Sequence, residues 1–251
     1  NDVDDFKDYK NNKLEFKLKQ VIKNKLNSPW GMTFSDENTL LITEKNGKIL
    51  KINVVTNEII EIQHNIPSIK YNGNGQGGLL DIYSHSDDYL YFTYSHEFQE
   101  ITLKGAKENL SSTAIARGKI EDNKLINFQI LLIAKPRLIK NKHYGARIAI
   151  KDDYLYVGFG ERGEGMISQN PQKHPGSIIR VHTNGDIPKD NPAFKGFEEW
   201  LPEIYQIGLR NPQGITLSPF DGEIYFSQHG PMGGDNIGKV KFAGNFGWKF
   251  I

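Results

Sequence analysis

One short pattern occurs four times along the chain: a glycine, an alternating apolar strand, a polar turn, and a second strand rich in Leu, Tyr, Val and Phe. Period-two alternation bounded by Gly, Asn and Asp is typical of β-hairpins. Its recurrence indicates a repeat architecture, in which each unit buries its apolar faces against neighbouring units. The copies are GMTFSDENTLLITE from Gly31, GLLDIYSHSDDYLYFTY from Gly78, GARIAIKDDYLYVGFGERG from Gly145 and GITLSPFDGEIYFSQHG from Gly214.

The stretches between these copies contain further strand-like runs and no convincing amphipathic helix. PAFKGFEEW predicts at most a single helical turn. Each interval has room for one four-stranded sheet and its loops. We therefore predict an all-β fold of the β-propeller type, since a sandwich would show evenly short strands without such a repeat. The additional runs are KILKINV, STAIARGKI, KLINFQILLI, GSIIRVHT and IGKVKFA.

Composition excludes several classes of function. The 251 residues are 37% hydrophobic and 24% charged, and a net charge of +1 gives no general attraction to nucleic acid or to an acidic membrane. There are no cysteines, which excludes disulfides and thiolate metal sites. No apolar run approaches the length of a membrane span, and the start, NDVDDFKDYKNNK, lacks the apolar core of a signal peptide. We expect no nucleic-acid partner and no membrane span.

Several polar side chains occupy equivalent positions in the repeats. In a propeller the first strand of each blade lines a central channel, and the loops that enter these strands meet at one end of it. The set is Gln76, His143, Arg210 and Asn211 before the second, third and fourth copies, and His229, Gly230 and Pro231 after the fourth. We expect the side chains of Gln76, His143, Arg210 and His229 to share one cavity at this end of the channel.

Each of these residues also has a purely structural interpretation. The glycines around Gln76 can simply make a tight turn, His143 can be a loop residue bonded to backbone, and Arg210 can connect blades through carbonyl groups. The charged residues of GERGEG, residues 160–165, are most simply a solvated loop with a local ion pair. However, the joint occurrence of Gln76, His143 and Arg210 at equivalent positions of the repeats favours the functional interpretation.

Six motifs occur in order along the chain: PWGMTF, GQGGLLDI, HYGARIAI, GERGE, GLRNPQGI and HGPMGGDNI. Together they closely resemble the soluble quinoprotein glucose/sorbosone dehydrogenase family, also called aldose sugar dehydrogenases. The resemblance extends from about Pro29 to Trp248. It implies a six-bladed β-propeller that binds pyrroloquinoline quinone (PQQ) with Ca²⁺, oxidises aldose sugars at C1, passes electrons to an external acceptor, and is periplasmic or secreted.

The resemblance also implies roles for individual residues. His143 matches the catalytic base, which would take the proton of the anomeric hydroxyl while the C1 hydride passes to C5 of PQQ. Arg210 matches the arginine beside the reacting carbonyl, where a fixed cation would stabilise negative charge on oxygen. The remaining matches are cofactor contacts and metal ligands: Gln76, Asn211 and His229, with Arg210, for PQQ, and the carbonyls of Gly230 and Pro231 for Ca²⁺.

The chain departs from the family pattern in two ways. Glu161 stands where the family usually has aspartate, which changes the distance from the carboxylate to His143. The relatives continue past NFGWKFI for about two more blades. We therefore expect residues 1–12 to be a polar lead-in and residues 13–251 to form about four blades in an open arc, lacking activity and tending to self-associate. Residues 13–22, which in the family complete the last blade, should be displaced or paired with another copy.

Two other functions are considered besides the sugar dehydrogenase. A non-catalytic β-propeller binding module is the alternative, because the same fold serves recognition in other proteins. A calcium-dependent propeller hydrolase is disfavoured, since it needs a carboxylate-rich channel and this rim offers His, Arg and amide side chains. Sugar-dependent reduction of a dye after addition of PQQ and Ca²⁺ would separate the enzyme from the binding module.

Overall fold

The chain is built almost wholly of β-strands. The computed structural model describes residues 6–11, 14–22, 26–101 and 107–250, and in these residues the strands form one hairpin and four sheets. The same residues contain no helix that is long and apolar enough to cross a membrane. The hairpin pairs β1 (Phe6–Asn11) with β2 (Leu14–Lys19) in antiparallel register.

The four sheets are the blades of a β-propeller, and each follows the order of its strands in the sequence. Blade 1 contains β3 (Pro29–Asp36), β4 (Thr39–Glu44), β5 (Ile49–Asn53) and β6 (Ile59–Ile62). Blade 2 contains β7 (Leu79–Ser84), β8 (Leu90–Ile101), β9 (Lys107–Glu121) and β10 (Lys124–Ile133). Blade 3 contains β11 (Gly145–Lys151), β12 (Tyr154–Phe159), β13 (Ile178–His182) and β14 (Ile204–Ile207). Blade 4 contains β15 (Pro212–Leu217), β16 (Ile224–Gln228) and β17 (Asn236–Lys239).

The first strands of the four blades lie side by side. Strand β3 packs beside β7, β7 beside β11, and β11 beside β15. A short strand, β18 (Gly244–Asn245), returns to pair in parallel with β14 at the outer edge of blade 3. The prediction of an all-β propeller with about four blades is confirmed, and the four repeated glycines fall at the inner strands as the pattern requires.

The hydrophobic core lies between successive blades. Alternation along each strand sends one set of side chains toward each neighbouring blade. Between blades 1 and 2, Leu41 and Ile49 pack with Phe92, and all three are at most 2% exposed. Burying each such side chain stabilises the fold by roughly 1.5–3 kcal/mol. The same arrangement recurs between blades 2 and 3 around Val157, and between blades 3 and 4 around Phe226.

Some elements differ from the sequence-based predictions, and one was not predicted. Residues 13–22 are expected to be displaced from a blade or paired with another copy. In the structure, Leu14–Lys19 pairs with Phe6–Asn11 of the same chain, a strand that lies within the expected lead-in. Residues 1–5, 12–13 and 23–25 lie outside the described residues. The predicted single turn corresponds to a 3₁₀ helix at Pro192–Phe194, and a second one, at Gly165–Gln169, was not predicted.

Arg147 connects all four inner strands in the channel. Its Nη1 donates to Asp81 Oδ1 of β7 at 3.0 Å, its Nη2 to the carbonyl of Trp30 in β3 at 2.7 Å, and its Nε to the carbonyl of Gln213 in β15 at 3.1 Å. The other oxygen of Asp81 accepts the Ile148 N–H at 2.9 Å. One side chain on β11 therefore fixes the spacing of three other blades.

The close approach of β3 to β7 buries the carboxylate of Asp81 between these strands. A Cβ on Gly31 would lie 2.6 Å from the Asp81 Cα, so a larger residue would separate these strands. Burial raises the pKa of Asp81 to about 6, against the opposing effects of Arg147 and the Ile148 N–H. The carboxylate is therefore ionised at neutral pH and becomes protonated in mildly acidic solution.

Arg147→Met is expected to lower the free energy of unfolding by about 3–5 kcal/mol at pH 8, because it leaves a buried carboxylate without its counterion. The folded-state pKa of Asp81 lies above the unfolded value, so the folded protein takes up a proton as the pH falls. The loss should therefore be smaller at pH 5 than at pH 8. Urea unfolding at the two pH values measures both quantities.

Lys48→Met provides the control for this measurement. It breaks the Lys48–Glu61 ion pair, which has an N···O distance of 2.6 Å but lies on the surface with both side chains about half exposed. Exposed pairs contribute little to stability. If Arg147→Met lowered the free energy of unfolding by no more than Lys48→Met, the channel ion pair would not hold the blades together.

Candidate active site

His143 is held in an unusual conformation at the entrance to β11. Its φ is +51°, in the left-handed region that non-glycine residues seldom occupy. Its backbone N–H donates to Gln76 Oε1 at 2.6 Å, and its carbonyl accepts the Arg162 N–H at 3.2 Å. The carbonyl also lies so close to Gly160 that a Cβ there would collide with it. Backbone contacts on both sides therefore fix this residue.

A buried carboxylate orients the imidazole of His143. Nδ1 lies 2.7 Å from Glu161 Oε1, and the other carboxylate oxygen accepts the Gly165 N–H at 2.8 Å. Both His143 and Glu161 are buried. Because Glu161 can only accept when ionised, His143 donates from Nδ1, and in the neutral ring Nε2 is then the unprotonated, basic atom.

Glu161 stays ionised despite its burial. Burial by itself would raise the pKa of Glu161, but the hydrogen bonds from His143 and Gly165, together with the nearby charges of His143 and Arg210, hold it below its ordinary value. The backbone N–H of Glu161 donates to the Arg210 carbonyl at 2.8 Å. The carboxylate is thus a negative charge behind the imidazole near neutral pH, and the backbone of Glu161 is linked directly to the next loop of the rim.

His143, Glu161 and Arg210 line one cavity of about 420 Å³. The Arg210 guanidinium donates to the His229 carbonyl at 3.2 Å, and its carbon lies 5.5 Å from the centre of the Trp248 ring. The other lining side chains include the aromatic ring of Trp248, the ring of Pro231, and three amino groups, those of Lys140, Lys142 and Lys249. The wall therefore combines a base, a flat aromatic surface and an excess of positive charge.

The structure brings His143 and Arg210 together as expected, but the expectation of a shared cavity fails for Gln76 and His229. Gln76 does not line it, because its amide oxygen accepts the His143 N–H. His229 turns outward, with Nδ1 3.2 Å from Asp235 Oδ2, and lines a separate cavity of about 210 Å³. The competing acceptor in the 230–235 turn, Asp235, is the physical reason for its position.

Asn211 lies beneath the cavity and not in its wall. It is 2% exposed, and its Oδ1 accepts the Gly145 N–H at 3.2 Å and the Gln213 Nε2 at 3.1 Å. Since Gly145 begins β11 directly after His143 and Tyr144, Asn211 holds the start of that strand against blade 4. In the described structure, Gln76 and Asn211 both support the position of His143.

The turn after β16 places the backbone carbonyls of Gly230 and Pro231 near the cavity. Asp235 Oδ1 accepts the Gly230 N–H at 2.8 Å, and Pro231 lines the cavity. Among the described residues no hydrogen bond reaches the carbonyls of Gly230 or Pro231. Within the residues that the structure describes, no group of three or more His, Asp or Glu side chains could hold a metal ion. A cation here would depend on carbonyl oxygens, which are ligands that suit Ca²⁺.

The interpretation of residues 160–165 as a solvated loop is wrong for its first charged residues. Glu161 and Arg162 are each 2% exposed, although Glu164, which pairs with Lys140 at 3.2 Å, conforms to that interpretation. A continuous buried run, from Leu155 to Gly160, leads directly into Glu161. The sequence of that run, LYVGFG, was the available signal, because no turn with Asn, Asp or Ser separates this largely apolar strand from Glu161.

The sequence of this chain is similar to those of known sugar dehydrogenases. The sequence profile of the family described as Glucose / Sorbosone dehydrogenase matches residues 26–251. The aldose sugar dehydrogenase YliI of Escherichia coli K12 is 29% identical over 233 residues, which is 91% of this chain and 61% of that protein. The quinoprotein glucose dehydrogenase B of Acinetobacter calcoaceticus is 28% identical over 254 residues, 92% of this chain and 52% of that protein.

A solved structure extends the comparison to three dimensions. The PQQ-bound form of the aldose sugar dehydrogenase from Streptomyces coelicolor superposes with a TM-score of 0.74 and 25% identity, over 92% of this chain and 65% of that one. The chain spans about half to three fifths of the length of the two curated relatives.

Glu161→Gln is expected to lower the free energy of unfolding by about 1–3 kcal/mol at pH 7, because two buried donors then share a neutral acceptor. The folded-state pKa of Glu161 is depressed, so its contribution is complete above the ordinary pKa of glutamate and is lost as the pH falls through the folded value. The difference between parent and variant should therefore narrow toward pH 3.5 in urea unfolding experiments.

Glu164→Gln is the matched control in the same loop. Glu164 forms its ion pair with Lys140 at the surface, with 38% of its side chain exposed, so its loss should change stability little. If the two substitutions lowered the free energy of unfolding equally at pH 7, the buried Glu161–His143 pair would contribute no more to stability than a surface ion pair.

Proposed function

The chain belongs to the glucose/sorbosone dehydrogenase family, and on that premise we propose that it carries the catalytic base of a PQQ-dependent dehydrogenase that oxidises aldose sugars at C1. One observation carries the proposal. The imidazole of His143 lines a cavity while its Nδ1 is fixed 2.7 Å from the buried carboxylate of Glu161. A histidine oriented by a carboxylate is the usual arrangement for a general base.

His143 would take the proton of the anomeric hydroxyl on Nε2. Imidazole is the commonest general base in enzymes, and the Nδ1–H bond to Glu161 selects the tautomer in which Nε2 can accept the proton. The positive charge that forms on the ring would be stabilised by the ionised carboxylate behind it, as the depressed pKa of Glu161 favours. Glu161 would thus orient the imidazole of His143 and stabilise its protonated form.

Arg210 would stabilise negative charge that develops on oxygen in the same cavity. Its guanidinium is fixed by the His229 carbonyl, and its backbone N–H donates to Gln228 Oε1 at 2.8 Å. Because these contacts exist before any ligand enters, the cation needs no reorganisation during the reaction. A sugar between His143 and Arg210 would therefore face a base and a fixed cation.

The residues present fit the cofactor and the cation that the family implies. PQQ is a planar o-quinone with three carboxylates, and when bound it supplies the two-electron acceptor for the C1 hydride. Arg210, Lys142 and Lys249 supply positive charge for anionic groups, and Trp248 supplies a flat surface. The carbonyls of Gly230 and Pro231 would bind Ca²⁺. Direct PQQ contacts by Gln76, Asn211 and His229 remain predictions from the family resemblance.

His143→Ala, in the protein expressed from its whole reading frame, is expected to reduce sugar oxidation by about 10²–10⁴-fold, the usual value of a general base. PQQ binding should persist, because Arg210 and the lysines are unchanged. Sugar-dependent dye reduction in the presence of PQQ and Ca²⁺ measures the first quantity, and equilibrium dialysis of PQQ measures the second.

His85→Ala is the control, since His85 lies after β7 at the opposite end of the channel. Oxidation by the His143 variant within a few-fold of the parent would exclude His143 as the base. A parent protein that binds sugar without reducing the dye would favour the non-catalytic binding module. The expectation that residues 1–251 alone retain no PQQ and self-associate is tested by dialysis and sedimentation of that segment.

A further inference from the structure

The conformation of His143 needs an external constraint. A left-handed backbone is unfavourable for a residue with a Cβ and persists where surrounding contacts enforce it. Because the backbone of His143 has φ of +51°, the direction of the imidazole depends on whatever maintains this geometry. Gln76 accepts the N–H of His143 on one side, and Arg162 contacts its carbonyl on the other.

Arg162 contacts the chain on both sides of His143. Its backbone N–H donates to the His143 carbonyl at 3.2 Å. In its side chain, Nε donates to the Lys142 carbonyl at 3.0 Å, Nη2 donates to the Lys140 carbonyl, and the guanidinium carbon lies 3.8 Å from the centre of the Tyr144 ring. One side chain therefore contacts the segment 140–144 at three positions around the base.

The same guanidinium is anchored to a strand of blade 2. Nη1 donates to the Ser111 carbonyl at 2.8 Å, and Nη2 donates to Ser111 Oγ at 2.9 Å. Ser111 lies in β9 and is fully buried. Its hydroxyl also meets the Tyr144 hydroxyl at 2.7 Å. The segment that contains His143 is thus connected through Arg162 to a strand paired on both edges.

The chemistry of this contact requires an arginine. Arg162 is 2% exposed and forms no salt bridge with a carboxylate of the described residues, and burial lowers its pKa. Its acceptors are three carbonyls and one hydroxyl, spread around a plane. A guanidinium presents five N–H donors in such a plane, whereas an ammonium group is a compact point charge that cannot reach all four acceptors. A buried cation is costly to retain, which indicates a specific geometric use.

We propose that Arg162 is a positioning residue, whose guanidinium locks residues 140–144 to β9 and so sets the backbone of His143 and the direction of its imidazole. The consequence for catalysis rests on the proposed function, but the consequence for the imidazole does not. Arg162 itself does not line the cavity and need not touch substrate or cofactor.

Arg162→Lys tests the proposal, with ¹⁵N and ¹H NMR of the histidine side chains as the primary measurement. The His143 signals are assigned by comparison with His143→Gln. In the parent, the Nδ1 proton shared with Glu161 should give a downfield, exchange-protected signal. In Arg162→Lys this signal should be lost, and kcat for sugar oxidation should fall by about 10–100-fold with a smaller change in KM, because the base is displaced.

Arg180→Lys is the matched control for replacing a buried arginine. Arg180 is 5% exposed, stacks 3.7 Å from the Tyr154 ring centre, and donates to Asn191 and Asp190, so it shares the burial and stacking of Arg162 without contacting residues 140–144. This variant should lose stability but keep the His143 signal and kcat.

The outcomes separate positioning from a general structural role. If Arg162→Lys keeps the His143 signal and kcat and only loses stability, as Arg180→Lys does, the proposal is overturned. If Arg162→Lys does not fold, Ser111→Ala removes one acceptor and should shift the His143 signal by a smaller amount; an unchanged signal overturns the proposal. Loss of the signal in Arg162→Lys, with full oxidation by His143→Ala, would support positioning and refute the proposed base.

Discussion

The ion pair between Arg147 and Asp81 determines how the blades meet. Each blade is a local structure of hairpins, but the channel requires four inner strands to end at the same level. Arg147 achieves this by donating to Asp81 in one neighbour and to carbonyls in two other blades. The loops that enter these strands then have fixed starting points. Since His143 and Arg210 each lie two positions before the first residue of β11 and β15, respectively, the channel ion pair also sets the distance between them.

Above this ion pair the rim is assembled by polar contacts between loops. Glu161 bonds to His143 through its side chain and to Arg210 through its backbone, so one residue links both members of the candidate active site. Buried polar groups are costly when unpaired, which makes such linked contacts mutually dependent. The geometry of the base is therefore a property of several loops, among them the 160–165 loop that carries Glu161 and Arg162.

Some charged side chains that line the cavity form ion pairs with one another, and others do not. Glu161 is paired with His143, and Glu164 with Lys140, while no ion pair within the described residues engages Lys142 or Lys249. The cavity consequently presents a net positive field to whatever enters. Such a field favours the anionic, planar cofactor of the proposed function.

The sequence by itself determined the blades and the location of the rim, because period-two alternation and turn residues act over a few neighbours. The same local pattern placed His143 and Arg210 at the starts of inner strands. Only the tertiary structure decided that Gln76 supports the backbone of His143, 67 positions away. It also decided that Arg162 is buried against Ser111, 51 positions away, although its glycine-rich surroundings resemble a solvated loop. Such contacts depend on how separate blades pack, and no spacing within one loop encodes them.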